Sequence, residues 1–228
     1  MVKKRPTMRR PVFRSLKKTL TVSKVKKIAQ KVIDKQVEFK RITPSIALNV
    51  LDTLLGKAVF DGPQIPEGDG IDARTGNQVM MRRMNFKCIL QHGVRQVHVK
   101  MVLVRYSTGL GISGPSPAVP AIADFLQDPA NPFTSPWLKD SAYKYKICYN
   151  KVHTLGTVGV MPADRFLKYF TISVKLPKAG EKITYENNTT QTPDKNRYVL
   201  FAIPDYVSTD VPARAAFKAY ATIGYTDM

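Results

Sequence analysis

Most of the chain alternates between apolar and polar residues with the two-residue period of a β-strand. The clearest case is residues 79–91, where one set of positions is apolar and the set between them is polar. The apolar positions are Met80, Met84, Phe86, Cys88 and Leu90, and the polar positions are Arg83, Asn85, Lys87 and Gln91. Because successive side chains of a strand point to opposite faces, this pattern predicts a strand with one buried face and one exposed face.

The same alternation recurs from residue 37 to the end of the chain. It predicts strands at residues 37–42, 46–51, 79–91, 97–106, 143–149, 165–176, 182–186, 197–204 and 215–226, and one or both of the first two segments form the first strand. About eight strands with no long helix between them favour an antiparallel sandwich or barrel over a parallel α/β sheet. Eight strands joined by long, unequal loops favour a jelly roll. The predicted fold class is therefore all-β, with residues 37–228 forming an eight-stranded antiparallel jelly-roll sandwich.

Two long stretches interrupt the alternation. Residues 61–77 are rich in Gly, Pro and Asp and contain several turn signals. Residues 107–142 contain six prolines and one short helical pattern at residues 121–127. Ordered loops of this length are usually functional, so we expect residues 107–142 to form an exposed interaction surface.

A helical period precedes the strands. Apolar residues recur at the i, i+3, i+4, i+7 and i+8 positions that form one stripe of a helix, and these are Val25, Ile28, Ala29, Val32 and Ile33. The pattern predicts an amphipathic helix at about residues 21–37, with lysines on its other face. A basic amphipathic helix can also lie on a membrane surface, but this apolar stripe lacks Trp, Phe and Leu. We therefore expect no membrane partner.

Positive charge is concentrated at one end of the chain. Residues 1–35 contain thirteen Lys and Arg against one acid, Asp34, which is a net charge of +12, whereas the whole chain carries +19. The thirteen cations are Lys3, Lys4, Arg5, Arg9, Arg10, Arg14, Lys17, Lys18, Lys24, Lys26, Lys27, Lys31 and Lys35. A block of like charge stays solvated and binds polyanions, and cations that neutralise phosphates release condensed counterions. Residues 1–36 are therefore predicted to be a nucleic-acid-binding arm; the alternatives are a solvated surface helix and a targeting segment such as a nuclear localisation signal.

Cations within the strands extend the footprint of the arm or simply maintain solubility. They are Lys40, Arg41, Arg82, Arg83, Lys100, Arg105, Lys168 and Lys218. Tyr and Phe residues scattered among them have rings on which unpaired bases can stack, although most of these aromatics fall on apolar faces.

The length and composition limit the class of protein. A chain of 228 residues fits one domain plus the arm, and 43% hydrophobic residues are enough for a core. No apolar run follows the basic start, so we expect no secretory signal, and no stretch approaches the roughly 18 apolar residues of a membrane span. Two cysteines do not make a disulfide framework, which favours a reducing compartment.

Enzymatic motifs are incomplete. Residues 109–114 match G-x-G-x-x-G, but prolines follow them in place of the helix that a dinucleotide site needs. The sequence contains no Walker lysine loop, no G-x-S-x-G and no H-E-x-x-H. We therefore expect no enzymatic activity, no catalytic residues and no cofactor.

Two Cys and His pairs raise the possibility of a zinc site. Cys88 is followed by His92, and Cys148 is followed by His153. These are the side chains that zinc prefers, but the ligands of one tetrahedral ion must converge. Alternation places Cys88 on an apolar face and Cys148 on a polar face with Lys146, so we expect neither a metal site nor a disulfide.

The order of several segments resembles the capsid proteins of circular, Rep-encoding single-stranded DNA viruses (CRESS-DNA viruses), in particular the satellite-virus-like and circovirus-like ones. The segments are RTGN before VMMRRMNFKCIL, then VHVKMVLVRY, YKYKICYNKVHTL, FLKYFTISVKLPKAGEKITYENNTTQT, RYVLFAIPDY and a final TIGYTD. The resemblance covers most of residues 20–228. It departs from the circovirus pattern in the arm, which is Lys-rich here and Arg-dominated in circoviruses.

This resemblance implies a single jelly roll that assembles into a T=1 icosahedral capsid around a circular single-stranded DNA genome. It also implies a protein located in the virion, and in the host nucleus during assembly. The residues themselves leave RNA open as the packaged nucleic acid. They also leave open a different class of function, a single-stranded nucleic-acid-binding, nuclear shuttle or movement protein that forms no shell.

Overall fold

The computed structural model describes residues 21–36, 39–70, 72–92, 96–106, 121–138, 145–156, 166–185, 191, 193–210 and 213–228. The chain divides into two compact units, residues 1–37 and residues 38–228. Eight of the predicted arm cations, Lys3 to Lys18, and the G-x-G-x-x-G segment lie outside the described residues. None of the described helices has the length and apolar character that crossing a membrane requires.

The first unit contains helix α1, which spans Val22–Gln36 and so falls within one residue of the predicted bounds. The helix starts after Thr21, whose carbonyl oxygen accepts hydrogen bonds from the backbone N–H groups of Lys24 (2.8 Å) and Val25 (3.0 Å). The side chains of residues 21–29 are all exposed, including those of Val25 and Ile28 on the apolar stripe.

The second unit is all-β, as predicted, and its described residues form eleven strands in two antiparallel sheets. The strands are β1 (Phe39–Ile42), β2 (Ser45–Val50), β3 (Lys57–Gly62), β4 (Gln78–His92), β5 (Val97–Tyr106), β6 (Tyr145–Leu155), β7 (Phe166–Ser173), β8 (Glu181–Tyr185), β9 (Pro193–Lys195), β10 (Arg197–Pro204) and β11 (Ala216–Asp227). A short 3₁₀-helix, Ile122–Phe125, lies within the helical pattern predicted at residues 121–127. The sequence patterns did not predict β3 and β9.

The larger sheet is centred on the long antiparallel pair of β4 and β11. β1 and β2 pair one after the other along the free edge of β11, and β7 and β8 pair one after the other along the free edge of β4. β9 adds a short strand beside β8. The smaller sheet has the strand order β3-β10-β5-β6.

The main core fills the space between the two sheets. Phe60 of the smaller sheet meets Phe86 of the larger sheet edge to face, with ring centroids 5.0 Å apart. Around this contact, Met84, Leu200 and Phe217 are fully buried. The alternating apolar positions of both sheets therefore contribute to one core, as expected for a sandwich.

One part of the alternation predicted for β4 is wrong. The register between β4 and β11 shifts between Gly224, which faces Arg83, and Tyr225, which faces Met81. This β-bulge leaves Arg82 as an extra residue, so the inward positions change parity there. Val79 and Met81 occupy the core, while Met80, predicted to face inward, is only half-buried.

The outer face of the smaller sheet is covered by the chain itself. Residues 121–138 lie over it, and Phe125 of this segment is fully buried against Tyr145 and Phe201, with ring centroids 5.0 and 6.1 Å away. This second cluster explains why every residue of β10 is buried. The described part of the predicted exposed loop at residues 107–142 is thus mainly a cover for this sheet, and the rest of that loop lies outside the described residues.

Candidate nucleic-acid interface

Three of the thirteen predicted arm cations have described side chains. Lys24, Lys26 and Lys27 lie in the first turns of α1 and are exposed. Lys31 and Lys35 also belong to α1, but their side chains lie outside the described residues, as do the eight cations of residues 1–20. The described part of α1 therefore presents three ammonium groups to solvent within four residues.

Lys40, predicted as a candidate extension of the arm's footprint, is instead a buried structural residue. Its side-chain nitrogen Nζ lies 2.9 Å from Oδ2 of Asp227 and donates to the carbonyl oxygen of Ala73, also at 2.9 Å. The same carboxylate oxygen accepts the backbone N–H of Thr75 at 3.2 Å. Lys40 thus ties β1 to the end of β11 and to the loop that follows β3, and phosphate cannot reach it without breaking this ion pair.

Lys100 and Arg105 on β5 are also engaged within the fold. The Nζ of Lys100 donates to the carbonyl oxygens of Phe133 (2.8 Å) and Pro132 (3.3 Å), which holds the covering segment on the smaller sheet. Burial lowers the pKa of Lys100. Nη1 of Arg105 donates to Glu181 Oε1 at 2.7 Å. Lys100 is therefore a structural residue and does not extend the arm's footprint, whereas Arg105 remains 31% exposed beside its acidic partner.

Two further predicted cations bond to backbone carbonyls. Lys168 Nζ donates to the carbonyl oxygen of Thr154 at 3.1 Å, across the gap between β7 and β6. Arg82 Nη1 donates to the carbonyl oxygen of Ala179 at 2.6 Å, although its side chain remains exposed. Lys168 points to the interior side of β7 because its pairing partner, Leu90, faces the core.

The remaining cations share one surface, the side of the larger sheet that points away from the main core. We call this surface the outer face. Its central side chains are Phe39, Arg41, Arg83, Lys87, Ile89, Leu167, Tyr169, Lys218 and Tyr220. The sequence predicted three of its cations, and the structure adds Lys87 from the polar positions of β4.

Strand register places these side chains in two adjacent rows. In one row Tyr220 of β11 is directly opposite Lys87 of β4. In the next row Lys218 of β11 is opposite Ile89 of β4, which is opposite Tyr169 of β7. The Nζ of Lys218 lies 5.6 Å from the ring centroid of Tyr220, within cation–π range.

A third aromatic ring reaches the outer face because β11 has a glycine there. Gly224 is paired with Arg41 on one side and Arg83 on the other. The ring of Phe39 lies over this glycine so closely that a Cβ at residue 224 would be 2.4 Å from its Cζ. A side chain larger than that of glycine at residue 224 would therefore displace the Phe39 ring.

The charge of the outer face has one sign. Among the described residues of β1, β4, β7 and β11, the outward positions carry four cations and no acid. The one acid within these strands is Asp227, which faces inward to Lys40. A surface of this kind attracts anions and gains affinity from counterion release when it contacts phosphates.

The cysteines and histidines do not form a metal centre in the part of the chain that the structure describes. No three His, Cys, Asp or Glu residues converge there in a way that would hold an ion. Both cysteines are free thiols. Burial raises the pKa of Cys88 to about 12 and also raises the pKa of Cys148, so both stay protonated at neutral pH.

The predicted position of Cys148 is wrong. The register between β5 and β6 shifts so that Leu103 faces Tyr149 and Val104 faces Ile147, which leaves Cys148 as a bulged residue. Its side chain packs, partly buried, against the main core and not on an exposed face with Lys146.

One surface groove has no catalytic character in its described lining. It has a volume of about 600 Å³ and lies between the start of β3 and the covering segment over the smaller sheet. Leu55, Ala58, Ile122 and Phe201 supply apolar walls, and Lys57 is the one charged residue among the described residues that line it.

Two aromatic residues of the outer face were not singled out from the sequence. The alternation of β7 assigns Phe170 and Ile172 to the core, which leaves Tyr169 facing outward. Tyr220 lies between the buried Ala219 and Ala221 in β11. The two-residue period thus contained the signal for both tyrosines.

Neither a protein-family model nor a curated protein sequence matches this chain.

Proposed function

We propose that this chain is a structural capsid protein: a jelly roll that self-assembles into a small icosahedral shell and packages a circular single-stranded DNA genome through its basic N-terminal arm. The observation that carries the proposal is that the order of strands in the two sheets occurs together with a strongly basic segment at residues 1–35. The fold alone would not suffice, because the same architecture serves lectins and cupins as well as viral capsids.

The strand order supports a jelly roll. β1 and β2 lie end to end along β11, and β7 and β8 lie end to end along β4, so each pair occupies one strand position. The larger sheet then has the order β2-β11-β4-β7, and the smaller sheet has the order β3-β10-β5-β6. Counted in this way the sandwich has eight positions, the number of a double-sheet jelly roll, and β9 is an addition at one edge.

The succession of strands along the chain fits the same fold. The chain alternates between the sheets from β2 to β5, stays in the smaller sheet for β6, and then alternates again through β7, β10 and β11. The first strand position therefore lies beside the last one, β11. The pairing of the first strand position with the last, together with the two sheets of four positions, supports the double-sheet jelly roll.

The charge distribution supports packaging. In the simplest icosahedral shell, of about sixty subunits, chains of net charge +19 carry about 1,100 positive charges together. Single-stranded nucleic acid carries one negative charge per nucleotide, so such a shell neutralises a genome of about a thousand nucleotides. The arm, with +12 in residues 1–35, supplies most of this charge. A capsid protein of this kind is located in the virion, and in the host nucleus during assembly.

Electron microscopy of the purified full-length protein tests the proposal most directly. We expect uniform shells in negative stain when single-stranded DNA is present at moderate salt, because DNA neutralises arms whose mutual repulsion opposes closure. The same experiment with RNA of equal length tests whether the protein prefers DNA or RNA. A protein that sediments as a monomer at every salt concentration, with and without either nucleic acid, is not a capsid protein.

The second candidate is a single-stranded nucleic-acid-binding, nuclear shuttle or movement protein that forms no shell. The observation that favours it is the outer face, which combines exposed cations and aromatic rings on a single subunit and needs no neighbour to complete it. Sedimentation separates the two candidates, since a shuttle or movement protein stays small when it is saturated with nucleic acid.

A further inference from the structure

We propose that the outer face of the larger sheet is a base-stacking surface for single-stranded nucleic acid. In this proposal Tyr169 and Tyr220 contact unpaired bases, and Lys87 and Lys218 contact the phosphates between them. The inference deepens the proposed function and rests on its nucleic-acid-binding part, but it does not require a shell.

The first argument is exposure. The side chain of Tyr169 is 69% exposed and that of Tyr220 is 46% exposed, although both lie in the middle of strands. Leu167, beside Tyr169, is also exposed. The equivalent face of the smaller sheet is covered by residues 121–138, whereas no described segment of residues 38–228 covers the outer face. Neighbouring exposed apolar side chains that form one patch mark an interaction surface.

The second argument is spacing. Tyr220 and Tyr169 are separated by two strand positions across the sheet and two residues along it. From ordinary strand dimensions their Cα atoms are about 12 Å apart. Lys87 and Ile89 lie between them, so the two rings flank a strip that has one ammonium group and an apolar floor. A short stretch of extended single strand spans this strip with one base on each ring.

The third argument concerns which occupant fits. The centres of protein–protein interfaces are depleted of lysine. Here Lys87 lies at the centre of the face and Lys218 lies against Tyr220. A second copy of this chain, with its net charge of +19, would also bring further positive charge to a face that has no outward acid among the described residues of β1, β4, β7 and β11. A polyanion relieves this repulsion, whereas a second copy increases it.

The fourth argument selects single strands. Tyrosine rings stack on bases only where the flat face of the base is free, and in a duplex those faces are occupied by neighbouring bases. Every base has such a face, so the contact tolerates any sequence. The arm, in contrast, contacts phosphates, so its contribution to affinity is the same for a strand with bases and for a strand without them.

Binding of the full-length protein to two matched oligonucleotides separates these contributions. One is a short single-stranded DNA, and the other is the same strand with abasic sites, which has equal charge and no bases to stack. We expect the wild-type protein to bind the strand with bases more tightly. The variant Tyr169→Ala/Tyr220→Ala should lose about five- to hundredfold in affinity per tyrosine for that strand, and should bind the abasic strand as the wild-type protein does.

Two control variants refine the test. Tyr169→Phe/Tyr220→Phe keeps both rings, so we expect it to retain the preference for the strand with bases. Lys87→Gln should weaken binding to both strands equally and reduce the slope of log affinity against log salt by about 0.7. The melting temperature of each variant reports whether the fold is intact. The wild-type ratio between the two strands tests the proposal even if a variant does not fold.

The outcomes distinguish this proposal from the proposed function. Equal affinity of the wild-type protein for both strands overturns the stacking surface and leaves arm-mediated packaging intact. If the alanine variant changes self-association without nucleic acid and retains the wild-type ratio, a second copy covers the face and the proposal is wrong. A preference for bases that is lost in the alanine variant supports the proposal, whether or not shells form. A full-length protein that binds neither strand overturns both this proposal and the proposed function.

Discussion

The imidazole of His153 stacks on the ring of Phe170, with the two ring centroids 3.9 Å apart. The contact joins β6 of the smaller sheet to β7 of the larger sheet. On its other side, the imidazole nitrogen Nε2 lies 2.9 Å from the hydroxyl oxygen of Tyr149. Burial, together with the nearby positive charges of Lys168 and Lys151, lowers the pKa of His153 to about 4.

We predict from this contact that the folded domain loses stability between about pH 6.5 and about pH 4. In that window the unfolded chain binds a proton on His153 and the folded chain does not, so the free energy of unfolding falls as the pH falls. The loss is about 3 kcal/mol at most, and it levels off below the folded-state pKa. Urea denaturation at a series of pH values measures it.

The variant His153→Phe should reduce this pH dependence, because it keeps the stacked ring and removes the titrating group. His98→Gln is a matched control, since His98 is on the neighbouring strand β5 and is only half-buried. A pH profile that is the same in the wild-type protein and in His153→Phe would rule out His153 as the cause.

Lys40 and Arg41 are adjacent cations for which we predict opposite phenotypes. Lys40→Met breaks the buried pair with Asp227, so it should lower the free energy of unfolding by about 3 kcal/mol and leave the affinity of the folded protein for single-stranded DNA unchanged. Arg41→Gln alters an exposed side chain on the outer face, so it should leave stability unchanged. It should reduce the slope of log affinity against log salt by about 0.7, the contribution of one phosphate contact. Denaturation and salt-titrated binding measure the two effects. An unchanged stability in Lys40→Met would contradict the role assigned to the ion pair.

This pair shows the limit of prediction from charge alone. The two-residue period of the predicted strand places Lys40 and Arg41 on opposite faces, but only the register of β1 against β11 shows which of them faces inward. The same holds for Lys100 and Arg105, whose partners are 32 and more residues away along the chain. Side chains that pair over such separations give no local signal in the sequence.

The fold class was more accessible, because it depends on periodicity. The two-residue alternation located nine of the eleven described strands, and the helical period of residues 25–33 located the amphipathic helix. It failed at Met80 and at Cys148, where a single bulged residue reverses the two faces of a strand. β3 was missed because it is short and runs directly into the Gly- and Pro-rich loop, so its last residues have the composition of a turn.

Asp61 in β3 supports the neighbouring strand β10 through a buried ion pair. Its two carboxylate oxygens accept hydrogen bonds from Nε and Nη2 of Arg197, whose side chain is almost fully buried and also lies near the ring of Tyr106. We predict that Asp61→Asn lowers the free energy of unfolding by about 3–5 kcal/mol, because it leaves a buried guanidinium without its counter-charge. The double variant Asp61→Asn/Arg197→Met should recover part of that loss, which urea denaturation of the three proteins measures. A loss below about 1 kcal/mol in the single variant would show that the pair contributes little.

The arm is predicted to be dispensable for folding and required for binding nucleic acid. Deletion of residues 1–20 removes eight cations and leaves every described strand intact. We therefore expect the β circular dichroism spectrum and the melting temperature to change little. The slope of log affinity against log salt for single-stranded DNA should fall by at most about 6, since each lost phosphate contact contributes about 0.7. The truncated protein should also form empty shells or shift the salt concentration at which shells form best.

A variant with residues 1–20 in scrambled order is the matched control for the deletion. It keeps the length and charge of the arm, and counterion release does not depend on sequence, so it should bind and package like the wild-type protein. If the scrambled arm fails where the wild-type arm succeeds, the arm acts through a specific sequence and not through its charge. If the truncated protein is insoluble or unfolded, residues 1–20 stabilise the β-sandwich. The division of the chain into a binding arm and an independently folding β-sandwich is then wrong.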